Sequence, residues 1–294
     1  LGQHPPGYYL LAAGVLDIVP GSQNLTWDQT VGLLRLLDVV ILAPLPLLWL
    51  AVARRFARRS VAIAAAFAPV LIPALARLGA SVNNDDLLIL LIGVFTLLIT
   101  DVMRGDRRMR TAVAIAVCIA AGLLVKGFAL VLPLIALIAY LIAWRRQKTG
   151  FPWQTLLPVV IGSAVGGLWW LRNIIVYGAV QPAGLTSQQA NMVWPPLPAG
   201  VTVHLGGFVR RATDIFSTDF WGALGLAEPP SLPGKLTVVA TVAAIILLLV
   251  PFVTGRRTSR IIDRSQSVPG SRLIELGVLL LPTLLILGPL LIHA

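Results

Sequence analysis

Asn83-Asn84-Asp85-Asp86 places two amides and two carboxylates in a row between the apolar stretches Val61–Leu78 and Leu87–Val102. A polar cluster at the mouth of a membrane span is costly to keep there and marks a candidate functional site. The ordinary alternative is helix capping: Asp and Asn oxygens accept the free N–H groups of a first turn, and acids there complement the helix dipole. One cap needs one residue, and here there are four. Successive helical side chains point about 100° apart, so Asp85 and Asp86 cannot both face one pocket squarely. Two cations stand in comparably apolar company. Lys126 lies in Leu123-Leu124-Val125-Lys126-Gly127-Phe128, and Arg172 lies in Trp169-Trp170-Leu171-Arg172-Asn173, with Tyr177 shortly after. Ammonium and guanidinium groups suit phosphate oxygens, the guanidinium bidentately. Each also has an ordinary reading, as a snorkelling side chain or an interfacial anchor.

These groups must be positioned by membrane helices. The chain has 294 residues, of which 57% are hydrophobic and only 12% charged, and its mean hydropathy is +0.87. Soluble domains carry roughly a quarter charged residues. Apolar runs bounded by charges give about eight spans, at 31–53, 60–79, 86–103, 111–125, 128–143, 153–176, 236–254 and 272–292. The fourth and fifth are short enough to form one hairpin turning at Lys126-Gly127. The expected fold is all-α, a polytopic transmembrane helical bundle forming a single membrane domain over 1–294, with 178–234 as an external cap within it. Segment 7–19 is too short to span and reads as an interfacial helix anchored by Tyr8 and Tyr9.

The net charge of +11 would suggest nucleic acid in a soluble protein. Here the basic residues sit in short loops, and no nucleic-acid partner is expected. Arg54, Arg55, Arg58 and Arg59, then Arg104, Arg107, Arg108 and Arg110, then Arg145, Arg146 and Lys148, then Arg256, Arg257, Arg260, Arg264 and Arg272 fall in alternate loops. The positive-inside rule makes that side cytoplasmic. Asn83–Asp86, Lys126 and Arg172 then lie toward the external face, where Trp169, Trp170 and Tyr177 read as an aromatic belt. The lone Cys118 excludes a disulfide within the chain. Zinc-ligand spacing, a glycine-rich phosphate loop and a G-x-S-x-G nucleophile motif are all missing. A divalent cation held with the help of Asp85 and Asp86 stays open, though two carboxylates are few for a site.

Several segments resemble one superfamily. His4-Pro5-Pro6-Gly7-Tyr8-Tyr9-Leu10-Leu11 is similar to the H-P-P-L-Y-Y-L-L entry of GT-C-type membrane glycosyltransferases, which include the protein mannosyltransferases. Arg35 to Phe56 resembles the span that follows. Ala80-Ser81-Val82-Asn83-Asn84-Asp85, Trp169-Trp170-Leu171-Arg172-Asn173 with Tyr177-Gly178, and Phe220-Trp221-Gly222-Ala223-Leu224-Gly225 resemble an uncharacterised bacterial family of that clan. The resemblance implies an integral protein of the bacterial cytoplasmic (inner) membrane. It would transfer a sugar from a polyprenyl-phosphate donor to an acceptor hydroxyl on the outer face. Within this chain Asp85, Asp86 and His4 are the candidate catalytic residues. Asn83, Asn84, Lys126, Arg172, Asn173 and Tyr177 are then the candidates for binding the donor. The superfamily's catalytic acid lies in an outer loop before the H-P-P motif, so it is expected upstream of Leu1. Gly7 stands where Leu is usual, and Asp86 where a small residue is usual. A non-catalytic membrane scaffold and a lipid or solute transporter are the competing classes.

Overall fold

The computed structural model describes residues 4–56, 59–147 and 150–180, together with 206, 207 and 239. All regular structure among them is helical. The expected spans 236–254 and 272–292, and the cap beyond residue 180, lie outside the described residues. The chain divides into two compact units, Leu1–Ala43 with Gly79–Val209, and Pro44–Leu78 with Arg210–Ala294.

The first unit carries the candidate site. Its helices are α1 (Gly7–Ile18) and α2 (Trp27–Leu42). The second unit contributes α3 (Leu45–Ala53), α4 (Arg59–Ala66) and α5 (Pro73–Gly79, its last residue in the first unit). The first unit then resumes with α6 (Asn84–Met103), α7 (Met109–Leu123), α8 (Leu132–Gln147) and α9 (Trp153–Tyr177). Four apolar helical stretches are long enough to cross a membrane: Trp27–Ala53, Asn84–Met103, Gly127–Gln147 and Trp153–Tyr177. The expected span 60–79 is not one helix. It is broken into α4, a 3-10 turn over Ala68–Leu71 and α5. Pro69 and Pro73 have no N–H to donate, so neither position continues a helix from the preceding turn. The chain turns at Lys126-Gly127 as expected, with α7 stopping at Leu123 and a 3-10 turn over Gly127–Val131 leading into α8, but the second arm, Gly127–Gln147, is long enough to cross a membrane by itself.

Local signals explain the helix ends. Thr26 and Gln29 form a reciprocal capping box that opens α2, satisfying two donors that would otherwise be free. Gly105, with φ +104, turns the chain between α6 and α7 through a conformation that a side chain resists. Phe95, Ile99, Ile115, Ile119, Leu123, Leu132 and Ile135 are buried in the core of the first unit. α7 packs most extensively against α9. Gly162 and Gly166 make that contact close. A Cβ on Gly166 would lie 2.7 Å from Leu123 Cβ and 2.9 Å from Ala120 Cα, and one on Gly162 would run into the Ala116 backbone. Small residues four apart on both helices let the backbones approach, as in membrane helix pairs generally. Elsewhere α9 shows apolar side chains outward, with Val160, Ile161, Leu168 and Ile175 exposed. Such a face suits lipid.

Candidate functional site

Asn83 caps α6. Its side-chain oxygen accepts the Asp85 N–H at 3.0 Å, so the capping role is real for this residue. Asp85 and Asp86 occupy the first turn of α6, where their charge complements the dipole. Their environments then diverge, as neighbouring helical positions must. Asp85 forms an ion pair with Lys126 Nζ, and the two side chains keep 28% and 23% of their exposure. Asp86 is 0% exposed, and neither of its carboxylate oxygens has a hydrogen-bond partner among the described residues. Burying a carboxylate without donors is costly. A side chain kept under that penalty is a candidate for binding or chemistry.

Lys126 stands on the turn between α7 and α8, with its ammonium 5.5 Å from the centre of the Phe128 ring. The turn is gripped through its carbonyls. Gly7 N–H donates to Leu124 O at 2.7 Å. Asn84 Nδ2 donates to Val125 O at 3.4 Å, and Trp170 Nε1 donates to Leu123 O at 3.0 Å. Gly7 is required here, because a Cβ would lie 2.6 Å from Leu124 O. A glycine at this position is therefore what allows α1 to meet this turn. Trp170 packs its ring against Gly127 and is buried. It belongs to the interior rather than to an interfacial belt.

Sequence reasoning missed Asp38. This residue lies in α2 and is 0% exposed. Its Oδ2 accepts the Tyr8 hydroxyl at 2.8 Å and the Asn83 N–H at 3.3 Å, while Oδ1 is unpartnered among the described residues. Tyr8 is likewise buried rather than an exposed interfacial anchor, whereas Tyr9 is exposed. An isolated acid in Leu36-Leu37-Asp38-Val39-Val40 was the available signal, since ionisable residues inside apolar spans are functional candidates by default.

The other candidates are dispersed in role. The Arg172 guanidinium lies 5.0 Å from the Trp169 ring centre and 5.6 Å from that of Tyr177, and donates to Asn173 Oδ1 at 3.3 Å. Arg172 is exposed and Asn173 is buried, with Asn173 Nδ2 donating to Val180 O. Tyr177 thus serves as an aromatic neighbour of the cation. His4 is exposed. Among the described residues no three His, Cys, Asp or Glu side chains gather to hold a metal ion.

The α6 N-terminus thus gathers a partly exposed Lys126–Asp85 ion pair and a buried carboxylate, Asp86, with no hydrogen-bond partner among the described residues. Comparison with known families bears on which ligand these groups would suit. The family model described as dolichyl-phosphate-mannose-protein mannosyltransferase matches residues 3–170. No curated protein and no solved structure matches the chain.

Proposed function

The chain belongs to the dolichyl-phosphate-mannose-protein mannosyltransferase family, and from that premise we propose that it transfers a sugar from a polyprenyl-phosphate donor to an acceptor hydroxyl at the outer face of the bacterial inner membrane. Two groups near the α6 N-terminus carry this reading: Lys126, partly exposed and ion-paired with Asp85, and Asp86, buried with no hydrogen-bond partner among the described residues. In the transfer, the acceptor oxygen attacks the anomeric carbon and the bond from that carbon to the phosphate oxygen breaks. The acceptor proton goes to a carboxylate, for which Asp86 is the candidate. A positioned base of this kind contributes typically about 10²–10⁴-fold. The departing polyprenyl phosphate gains charge, and a fixed cation stabilises it. Lys126 supplies that cation, with Arg172 as a second one at the outer end of α9.

A lipid donor also needs an apolar path for its tail. A groove of about 330 Å³ between α8 and α9, lined by Leu134, Leu137, Val159 and Val160 among others, supports that part of the reading.

The test is binding of a polyprenyl monophosphate to purified Lys126→Ala, with thermal stability followed in parallel. Loss of a charge-assisted hydrogen bond of roughly 1.5–3 kcal/mol corresponds to about ten- to more than a hundredfold weaker binding. Unchanged binding by a folded variant would reject Lys126 as the phosphate ligand.

A further inference from the structure

We propose that Asp85 is the exchangeable counter-ion of Lys126: a lipid-borne phosphate displaces it on arrival, and its return to the lysine helps the product leave. This rests on the reading of Lys126 as the phosphate ligand. It assigns Asp85 a role different from that of a catalytic base.

Three observations carry it. First, Asp85 is the ion-pair partner of the Lys126 ammonium, so a phosphate that binds this lysine has a carboxylate to replace. Second, both side chains keep partial exposure, 23% for Lys126 and 28% for Asp85. The pair can therefore be opened by a ligand without unpacking the core. Third, the two partners are held differently. Asp85 sits in the first turn of α6, with its N–H fixed to the Asn83 cap. Lys126 extends from a turn on a flexible four-carbon stem. The lysine is the partner that moves, and Asp85 keeps the support of the helix N-terminus when the lysine turns away. Separation is thereby made inexpensive on the acid's side.

The charge balance of the transfer gives the exchange its direction. The donor is a phosphodiester with one negative charge. The product is a monoester, which carries roughly −1.5 to −2 at pH 7. A lone lysine would therefore hold the product more firmly than the donor. Product release often sets turnover in enzymes. Asp85 competes for the same ammonium at that step and offsets part of the product's advantage. Asp86, buried and without a lysine, has no such function.

The experiment measures equilibrium binding of a short-chain polyprenyl monophosphate to the purified full chain. Inorganic phosphate serves as a second probe. Exposed or part-exposed ion pairs contribute modestly, so Asp85→Asn should bind the lipid phosphate about two- to fivefold more tightly. Lys126→Ala should bind it at least tenfold more weakly. The double variant should show no gain over Lys126→Ala alone, because the gain requires the lysine. Asp85→Ser, which retains a small polar group near the cap, replaces Asp85→Asn if the latter melts early. Where transfer is assayed, Asp85→Asn should lower KM and kcat together, a pattern that loss of structure would not produce. Unchanged or weaker binding by both Asp85 variants, with Lys126→Ala still impaired, overturns the exchange and leaves the phosphate reading standing. Unchanged binding by Lys126→Ala removes the phosphate reading and the exchange with it. An equally strong response to inorganic phosphate would overturn the assignment to a phosphate borne by a lipid.

Discussion

Asp38 commits one carboxylate oxygen to two donors, Tyr8 and Asn83, and leaves the other without a partner among the described residues. Through the first oxygen the start of α1, the C-terminal part of α2 and the cap of α6 are tied at one point. Removing the tyrosine hydroxyl keeps the ring's packing and takes away one of the two bonds to a buried acid. Tyr8→Phe should therefore destabilise the protein by about 1.5–3 kcal/mol, the range for hydrogen bonds to charged groups. Thermal unfolding in detergent reads this, and a variant as stable as the parent would show that the bond carries little. The same residues show what was legible beforehand. Asn83 as a cap, and Asp85 and Asp86 as divergent neighbours, follow from helix geometry and were readable. The Lys126–Asp85 pair joins residues 41 positions apart, and the Tyr8–Asp38 pair joins residues 30 apart. Residue types at that separation carry no record of which will meet. Gly7 illustrates the limit well. It stood out as a departure from a motif, yet its reason, the Leu124 carbonyl against which it lies, exists only in three dimensions.

At the scale of elements, hydropathy located the long helices because lipid demands continuous apolar length. It did not locate the break in 60–79, where apolar character persists while Pro69 and Pro73 interrupt the hydrogen-bond ladder. Nor did it identify the α7–α9 contact, although Gly162 and Gly166 four residues apart were a readable sign of close approach. Gly166→Ala should push a methyl group into Ala120 and Leu123, costing about 1–3 kcal/mol by overpacking. A melting temperature equal to the parent's would mean that α9 can withdraw freely. The α6–α7 connection makes a separate prediction. Asp106 accepts bonds from the Arg108 side chain, the Arg108 N–H and the Thr111 hydroxyl. These bonds, the Arg108 side chain's first, hold its carboxyl down at about 2. A carboxyl lowered on folding stabilises the protein above its unfolded value of about 4. That contribution fades as pH falls from about 4 toward 2. Asp106→Asn should thus be less stable than the parent at neutral pH, with the gap closing on acidification through that window. A gap that stayed constant with pH would assign the effect to something other than the charge.

For the whole molecule, family membership and the four spanning stretches agree on an integral membrane protein. Orientation rests on the alternating arginine-rich loops. A membrane-impermeant thiol reagent added outside should label Gln23→Cys, between α1 and α2, and leave Met109→Cys at the start of α7 untouched. Native Cys118 is buried and should stay silent. The opposite pattern would invert the topology and move the site to the cytoplasmic face.

The register of α7 against α9 has a consequence for the bilayer itself. The two helices run parallel, with Ala116 beside Gly162 and Leu123 beside Gly166, and the Lys126-Gly127 turn meets Trp170. From Trp170, α9 continues to Tyr177, roughly 10 Å further at 1.5 Å per residue. α7 has 15 residues and is only about 22 Å long, against roughly 30 Å of hydrocarbon. The turn that carries Lys126 therefore lies short of the end of the neighbouring helix. On the proposed function, a lipid headgroup would sink, or the leaflet would thin, as the phosphate reaches Lys126. On that reading, local membrane thickness becomes a variable in donor loading alongside donor concentration.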